Sequence, residues 1–381
     1  MENWIKIFMV FLEFTAMAYI IIILIFTAGW YKMTEFVNSS PLLSKKISVI
    51  IAIRNEAKNL NNLLNSLNEQ SLPKSQFEII IIDDDSVDNS IEIIESFSKT
   101  HNDLNLKVYN SEGRGKKQAI EKALTYVNNE IVFSTDGDCI LNRDLLENYL
   151  AFFEENKHIK LCFGGVFYDK SGDSKQQIFH MEFASLVASG AGSSGFGLPF
   201  MMNAANMAYR YEDYKIVKNK IAGQNYISGD DIFMLHSFVK EFGRSSVSYI
   251  KNPDVTVETI SPESFREFFN QRIRWGSKAR AYKAAWPLLV SLSVLLFNLM
   301  LSITLMLSVY RLWFLSVFFL FVLLKYLIDL PLNRNFLKYY KKPGNFALFF
   351  LMELFYPLYI VVIAFFPFVF NFKWKGRDFS K

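Results

Sequence analysis

The chain has 381 residues, of which 51% are hydrophobic, 20% are charged and 38 are phenylalanine, and its formal net charge is +4. So small a charge, without a basic-aromatic recognition motif, argues against nucleic acid as a partner. A chain that is rich in apolar residues and still normally charged must segregate the two kinds, as a membrane protein with a soluble domain does. The two cysteines, Cys139 and Cys162, have no metal-ligand spacing and are predicted to be reduced core residues.

The first predicted element is a membrane-spanning helix over residues 5–31, in an anchor region of residues 1–32. The stretch is long enough to cross a bilayer and lacks the small-residue cleavage site of a signal peptide, so an uncleaved anchor is predicted. Lys32, Lys45 and Lys46 follow it. Because basic residues gather on the cytoplasmic side of membrane proteins, we expect the next domain, residues 45–280, to be cytoplasmic.

Strand-like and helix-like segments alternate between residues 47 and 277. The predicted strands are 47–53, 77–82, 106–109 and 130–135, and the predicted helices are 59–69, 88–99 and 116–127. Alternation of this kind predicts βαβ units and an α/β fold with a largely parallel sheet. A later glycine-rich stretch, residues 190–197, follows a predicted helix over 176–189. We interpret it as a connector in preference to a mobile functional segment.

Three more apolar stretches, residues 286–310, 312–330 and 346–370, predict a C-terminal membrane domain over residues 286–372. The basic segment 333–342 between the last two is predicted to be a cytoplasmic loop. Pro357 and Pro367 indicate that the last helix could be broken or re-entrant.

Asp136 and Asp138 end the predicted strand 130–135, and Gly137 between them allows a sharp turn. Ligands of open α/β sheets bind beyond the carboxyl ends of the strands. Two carboxylates at that position suit Mg²⁺ or Mn²⁺ shared with the phosphates of a substrate. An Asp-Gly-Asp turn is also common without any ligand, so this motif alone leaves both interpretations open.

Other acidic or polar clusters follow strands in the same way. Directly after the first strand come Arg54, Asn55 and Glu56. Directly after the second strand come Asp83, Asp84, Asp85 and Asp88. A third cluster, Asp230 and Asp231, precedes a predicted helix over residues 232–242. Helix capping explains Asp88 and partly Asp230. It does not explain carboxylates at several successive strand ends, which repel one another unless a cation or ligand offsets them.

Two basic segments complete the set of candidate binding residues. Residues 113–117, Gly-Arg-Gly-Lys-Lys, open a predicted helix and could hold phosphate, although the loop is no known nucleotide fingerprint. Gln271, Arg274 and Trp275 share one face of a predicted helix, which offers an amide, a guanidinium suited to bidentate phosphate contact and a large aromatic ring. An amphipathic helix lying on the membrane surface is the alternative.

Taken together, six ordered motifs resemble those of the membrane-bound family 2 glycosyltransferases of GT-A fold, a family related to ceramide glucosyltransferases and processive β-glycan synthases. They are residues 48–56, 82–88, 115–119 and 135–138, the pair Asp230 and Asp231, and Gln271-x-x-Arg-Trp275. The sequence departs from the family pattern at Asp85, where glycine is usual, and at Asp230, where glutamate is usual.

The resemblance implies roles for these residues. It assigns nucleotide contacts to Ala52, Arg54, Asn55, Glu56, Asp83 and Asp84. It places Lys116 near the base or phosphates, and Asp136 and Asp138 at the metal and diphosphate. It implies that Asp231, or else Asp230, is the catalytic base. It assigns the diphosphate clamp and the acceptor-site floor to Arg274 and Trp275, and it places Gln271 among the substrate-binding residues.

The implied reaction is an inverting, Mg²⁺- or Mn²⁺-dependent transfer of a sugar, and the resemblance favours a UDP-linked donor. The expected acceptor is a lipid or a lipid-linked glycan, at the cytoplasmic face of a bacterial inner membrane. A processive polysaccharide synthase is the alternative enzyme, although its channel usually needs more membrane helices. A receptor or transporter that binds a nucleotide without catalysis is disfavoured, because all the acidic motifs are present.

Overall fold

A computed structural model describes residues 2–39, 43–111, 115–169, 172–221, 230–276, 284–369, 372–374 and 377–379. The chain divides into two compact units, each built from separate stretches of sequence. The sheet unit comprises Met33–Asp169 and Pro199–Ser261, and the membrane unit comprises Met1–Lys32, Lys170–Leu198 and Pro262–Lys381.

The sheet unit contains a seven-stranded sheet and a three-stranded sheet, with helices between the strands. Its strands are β1 (Ile47–Ile53), β2 (Phe77–Asp83), β3 (Leu106–Asn110), β4 (Ile131–Asp136), β5 (Cys139–Leu141), β6 (Leu161–Phe163), β7 (Gly165–Tyr168), β8 (Met207–Arg210), β9 (Val247–Tyr249) and β10 (Thr256–Thr259). Its helices are α2 (Leu60–Asn68), α3 (Ser90–Thr100), α4 (Lys116–Leu124), α5 (Leu145–Glu155), α7 (Tyr211–Val217) and α8 (Asp230–Phe242).

The large sheet has the strand order β3-β2-β1-β4-β8-β6-β9. Strands β1 to β4 run parallel to one another, β8 is antiparallel to β4 and β6, and β6 is parallel to β9. The predicted α/β fold with a mostly parallel sheet is thus confirmed. The small sheet has the order β5-β10-β7.

Hydrophobic strands form the centre of this unit because helices cover both faces of a parallel sheet. Every residue of β2 is buried, as are all but one of β1. Helix α2 turns a leucine stripe, Leu60, Leu63, Leu64 and Leu67, into the core. The turns that follow the strands lie outside this core, at the edge of the sheet.

The membrane unit is helical. Its helices are α1 (Glu2–Lys32), α6 (Ser174–Gly195), α9 (Phe265–Gly276), α10 (Ala285–Leu307), α11 (Trp313–Tyr339) and α12 (Phe346–Val369), followed by the short strands β11 (Phe372–Trp374) and β12 (Arg377–Phe379). Within the described residues four helices, α1, α10, α11 and α12, are long and apolar enough to cross a membrane. The predicted transmembrane segments are therefore confirmed.

Helices α1 and α6 cross with their backbones in contact. A methyl group added to Gly29 would lie 1.9 Å from the Gly192 carbonyl oxygen, and one added to Gly192 would lie 2.3 Å from the Phe26 carbonyl oxygen. Small residues allow membrane helices to approach this closely. The glycine-rich stretch is consequently helical as far as Gly195, and our interpretation of residues 190–197 as a connector was wrong.

Two further local predictions were also wrong. Helix α11 continues through Pro331 to Tyr339, so most of the predicted basic loop 333–342 is helical, and Phe336 packs against Trp30 with 5.1 Å between ring centroids. Helix α12 is continuous through Pro357 and Pro367. Neighbouring helices and side chains stabilise a helix across proline in a membrane environment, which a local reading of the sequence does not include.

Candidate active site

The carboxyl ends of four parallel strands meet at one edge of the sheet unit. In the register of these strands, Ala52 pairs with Asp136, Ile53 with Asp83, and Asp83 with Asn110. The clusters that were predicted from separate stretches of sequence are therefore brought side by side. This edge is where an open α/β sheet binds ligands.

The turns that follow β1 and β2 are joined by hydrogen bonds. Asn55 has a left-handed backbone with φ of +53°, a conformation that asparagine tolerates. Its N–H donates to Ser86 Oγ at 2.9 Å, and its Oδ1 accepts from the Val87 N–H at 2.8 Å. The Glu56 N–H donates to Ser90 Oγ at 2.9 Å. These bonds fix the two turns to one another before any ligand binds.

The two aspartates that end β2 are buried and bond inside the protein. Asp83 accepts from the Ser86 hydroxyl at 2.5 Å and from the Ser86 N–H at 3.1 Å, which closes the turn. Asp84 accepts from the Ser111 hydroxyl at 2.7 Å and from the Gly115 N–H at 2.8 Å. Asp84 thereby attaches the start of α4 to the end of β2.

Arg54 and Glu56 both lie in the turn after β1, and the side chain of each forms a hydrogen bond within the protein. Arg54 Nη1 donates to the Asp84 carbonyl oxygen at 2.5 Å. Glu56 is 5% exposed, and its Oε2 accepts from Asn59 Nδ2 at 2.8 Å. A methyl group on Gly137 would lie 2.9 Å from Glu56 Cγ, so the Asp-Gly-Asp turn packs directly on Glu56.

Asp136 and Asp138 lie half-buried at the end of β4. Lys116, the first residue of α4, forms an ion pair with Asp136 Oδ1, and each of these two side chains is about 30% exposed. Burial, followed by the charges of Asp138 and Asp136, raises the pKa of the Cys139 thiol well above its ordinary value. Without a bound metal, the thiol is therefore expected to be protonated.

This carboxylate pair fits one kind of metal site. No group of three or more histidine, cysteine or acidic side chains able to hold a metal occurs among the described residues. Asp136 and Asp138 fit a hard divalent cation that takes its other ligands from water and from substrate phosphates. Gly113 and Arg114 of the predicted phosphate loop lie outside the described residues, whereas Gly115 has φ of +100° directly before α4.

The predicted catalytic base lies at the start of α8. Asp231 Oδ1 accepts from the N–H of Ile232 at 2.8 Å, in the first turn of that helix. Asp230 is the first residue of α8, but its side chain lies outside the described part of the structure. Burial lowers the pKa of His236, while its bond to the Phe200 carbonyl and the nearby Asp231 charge act in the opposite direction.

Gln271, Arg274 and Trp275 all lie on α9 and belong to the membrane unit, whereas the residues of the strand edge belong to the sheet unit. All three are partly exposed. Between them Arg272 is buried, and it forms an ion pair with Glu182 of α6. Sequence reasoning had assigned no role to Arg272.

Sequence reasoning also missed three serines that order the edge: Ser86, Ser90 and Ser111. The spacing Asp83-x-x-Ser86 is a turn signal that could have indicated the first of them. The other two bond across strands, and no local pattern shows those partners.

Fold and strand edge together define a GT-A transferase domain joined to membrane helices. The family model described as "Glycosyl transferase family 2" matches residues 48–216, and the one described as "Glycosyl transferase family 21" matches residues 228–380. The resemblance to the family 2 glycosyltransferases that the motifs predicted is thus confirmed by the family model over residues 48–216.

Two relatives match over most of their length. A dolichyl N-acetyl-α-D-glucosaminyl phosphate 3-β-D-2,3-diacetamido-2,3-dideoxy-β-D-glucuronosyltransferase from Methanococcus voltae is 25% identical, over 61% of this chain and 72% of the relative. A poly-β-1,6-N-acetyl-D-glucosamine synthase from Staphylococcus epidermidis is also 25% identical, over 80% of this chain and 69% of the relative.

Other relatives match over less. Two relatives from Staphylococcus aureus strains are 38% identical to this chain over 115 residues. The chain spans only 19% of the length of each of them. A solved structure, the mannosyltransferase PcManGT from Pyrobaculum calidifontis in complex with GDP-Man and Mn²⁺, has a TM-score of 0.61 and 20% identity, over 93% of this chain and 98% of that one. At this identity the likeness shows the fold alone.

Proposed function

We propose that this enzyme transfers a sugar, with inversion, from a UDP-linked donor to a lipid or lipid-linked glycan acceptor at the cytoplasmic face of a bacterial inner membrane. The observation that carries the proposal is the alignment of Ala52 with Asp136 and of Ile53 with Asp83 at one strand edge. That register gathers ordered polar turns and a half-buried carboxylate pair where a nucleotide diphosphate would bind. The membrane unit supplies the reason for a lipid acceptor.

The donor side of the proposal uses the turns after β1, β2 and β4. The turn that contains Ala52, Arg54, Asn55 and Glu56 is fixed to the one that contains Asp83 and Asp84. We assign the base and ribose to the surface of these two turns, because their backbone is already ordered. The buried carboxylates of Asp83 and Asp84 act on that surface through the bonds that they accept from within the protein.

The diphosphate is assigned to Asp136, Asp138 and Lys116. A divalent cation, Mg²⁺ or Mn²⁺, would be held by Asp138 and Asp136 and would neutralise negative charge on the leaving diphosphate when bound. Lys116 is already at Asp136 and provides a fixed positive charge to the same group. On the resemblance alone, Gln271, Arg274 and Trp275 of the membrane unit are proposed as further substrate-binding residues.

Asp231 is proposed as the general base. It accepts the proton of the acceptor hydroxyl while that oxygen forms a bond to the anomeric carbon from the face opposite the diphosphate. The bond between the anomeric carbon and the diphosphate oxygen breaks, and its electron pair leaves with the diphosphate. Asp230 is kept as the alternative base. No covalent intermediate between sugar and enzyme is needed.

The proposed orientation can be tested separately from the chemistry. Lys45 and Lys46, and the basic end of α11 with residues 341 and 342, are proposed to be cytoplasmic. A single cysteine placed at Lys46 or at Lys342, in a chain in which Cys139 and Cys162 are replaced, should resist an impermeant thiol reagent in intact cells and react after lysis. Labelling in intact cells would contradict the orientation.

A direct assay tests the activity. The purified protein in membrane lipid is offered a panel of nucleotide sugars with lipid acceptors, and the released nucleoside diphosphate is measured. Activity should require a divalent cation and should be abolished by Asp138→Ala. Asp103→Ala is the matched control, because that surface carboxylate pairs with Lys74 at 2.7 Å, outside the proposed site. Full activity in excess chelator, or in Asp138→Ala, would overturn the metal assignment.

The alternative, a processive polysaccharide synthase, is supported by the Staphylococcus epidermidis relative, which is by name a polymer synthase and matches 80% of this chain. The archaeal relative is by name a transferase that acts on a dolichyl-linked sugar, and it supports the preferred single transfer. The size of the product decides between them. One added sugar per acceptor supports single transfer, and long chains at low turnover support the synthase.

A further inference from the structure

Arg272 is a buried cation of helix α9. Its side chain is 3% exposed, as is that of Glu182 on α6. Arg272 Nε donates to Glu182 Oε2 at 2.8 Å and to Oε1 at 3.1 Å, and Nη2 donates to Oε2 as well. The hydroxyl of Tyr359 on α12 donates to Glu182 Oε1 at 2.9 Å. One buried carboxylate thus connects three helices of the membrane unit.

The same guanidinium also contacts two residues of the proposed substrate-binding set. Arg272 Nη1 donates to the side-chain oxygen of Gln271. The guanidinium carbon lies 4.4 Å from the centroid of the Trp275 ring and 4.5 Å from that of Phe268. Arg272 therefore orients the amide of Gln271 and the indole of Trp275 from within its own helix.

The ion pair is poorly explained by stability alone. Removing two charges from water costs about as much as their attraction returns, and well-packed apolar residues are often as stable. What a bidentate pair adds is direction, because the planar guanidinium fixes the angle of each bond. Arg272 is buried and donates to both Glu182 and Gln271, so it is no candidate clamp for a diphosphate.

We propose that Arg272 and Glu182 are positioning residues that set the orientation of α9, and through it of Gln271 and Trp275, for catalysis. This inference rests on the proposed function, which places Gln271, Arg274 and Trp275 at the substrate. It assigns to the pair no contact with substrate. A pair that only stabilises the fold would affect folding and activity together, and a positioning pair would not.

The test compares a single and a double substitution. Arg272→Met leaves Glu182 buried without its cation and should lower both the melting temperature and kcat. Arg272→Met with Glu182→Leu removes both charges and should recover the melting temperature. In that double variant kcat should stay lower by about 10²-fold, because small misplacements of positioning groups cost that much. Arg266→Met, on the exposed face of α9, is the matched control and should behave as wild type.

A second measurement does not use activity. Amide hydrogen exchange over residues 265–276 should be faster in the double variant than in wild type, while exchange in α10 stays unchanged. Arg272→Lys keeps the charge without the fork and should show an intermediate kcat, which provides a test if Arg272→Met does not fold. UDP binding in the presence of Mn²⁺ should weaken in the double variant and stay unchanged in Arg266→Met, because α9 carries the proposed diphosphate clamp.

The outcomes separate this inference from the proposed function. Recovery of kcat together with stability in the double variant, or wild-type kcat in Arg272→Met, would overturn the positioning role while leaving the transferase intact. An inactive wild type, or an Asp138→Ala variant that turns over normally, would instead overturn the proposed function.

Discussion

Lys116 Nζ forms an ion pair with Asp136 Oδ1, so a cation of the protein itself already contacts one member of the Asp136 and Asp138 pair. Helix α4 begins at Lys116, and Asp84 fixes that beginning through the Gly115 N–H. At the proposed site, a lysine in this position would compete with a metal ion for Asp136 and would supply positive charge to a bound diphosphate. We therefore expect the pair to couple binding of the metal to binding of the nucleotide.

Lys116→Met should raise the affinity for Mn²⁺ alone and lower the affinity for the nucleotide by about 10-fold, since a hydrogen bond to a charged group contributes about 1.5–3 kcal/mol. Titration of Mn²⁺ by electron paramagnetic resonance and calorimetry with UDP would measure the two effects. Lys107→Met, on the exposed part of β3, should change neither. Loss of both affinities together would show that Lys116 holds the site in shape and does not compete with the cation.

Asp231→Asn keeps the size of the side chain but removes the proton acceptor. General acid-base catalysis contributes about 10² to 10⁴ in rate, so kcat should fall by that factor while donor affinity stays nearly unchanged. Because adjacent residues of a helix point about 100° apart, only one of the two aspartates can face the acceptor, and Asp230→Asn should cost less. Single-turnover assays measure both. A larger loss in Asp230→Asn would reverse the assignment, and wild-type rates in both would place the base elsewhere.

Gly137→Ala adds a methyl group 2.9 Å from both Glu56 Cγ and Ile53 Cγ2. Both neighbours are buried, so either Glu56 or the turn between Asp136 and Asp138 must move. Overpacking of this kind costs about 1–3 kcal/mol. We expect a measurable fall in thermal stability and a larger relative fall in metal-dependent turnover. A variant that turns over normally would show that the turn can shift without harming the metal pair.

Asp85 has a left-handed backbone with φ of +64°. This explains why the family usually has glycine there, since an L-residue pays about 1–2 kcal/mol in that conformation. The ion pair with Arg54 is 3.9 Å long and the Asp85 side chain is 64% exposed, so this pair offsets little of that cost. Asp85→Gly should raise the free energy of unfolding by up to about 1 kcal/mol, and Asp85→Val should lower it. Thermal unfolding in detergent checks the sign, and a destabilised Asp85→Gly would contradict this account.

Lys325 is buried between two carboxylates of the membrane unit. Its Nζ donates to Asp329 at 2.7 Å and to Glu353 at 2.5 Å, and Tyr19 donates to Asp329. Lys325→Met leaves both carboxylates without their cation and should destabilise the protein by roughly 3–5 kcal/mol. Lys338→Met, exposed on the same helix, should have almost no effect on the melting temperature. Equal stability of the two variants would contradict the importance of this cluster.

The parallel sheet and the four membrane helices could be predicted from the sequence because each depends on local periodicity. The strands β1, β2 and β4 and the helix α1 lie within a few residues of their predicted bounds. Prediction failed where tertiary contacts override local signals. The glycines near residue 192 form a helix because α1 packs on them, and Pro331 lies inside α11 because its neighbours cover the break.

The strand-edge residues could be predicted as a set, because carboxylates at strand ends are visible in the sequence. Their partners could not. Nothing near Asp84 in the sequence indicates that Ser111 and Gly115 donate to it, and nothing near Arg272 indicates Glu182, which is 90 residues away. Bonds between distant segments depend on the register of the sheet and the crossing of the helices.

The contact between Gly29 and Gly192 has a practical consequence for anyone who re-engineers this enzyme. Helix α1 cannot be treated as a simple membrane anchor that any hydrophobic helix could replace. Its main chain lies directly against the main chain of α6, the helix that carries Glu182. Replacing residues 1–32 by an unrelated hydrophobic leader would retain membrane insertion and lose the fit, since almost any other side chain at position 29 collides with a carbonyl oxygen. A chimaera that keeps the Gly29 register should be easier to produce in active form than one that merely matches the hydrophobicity of the original helix.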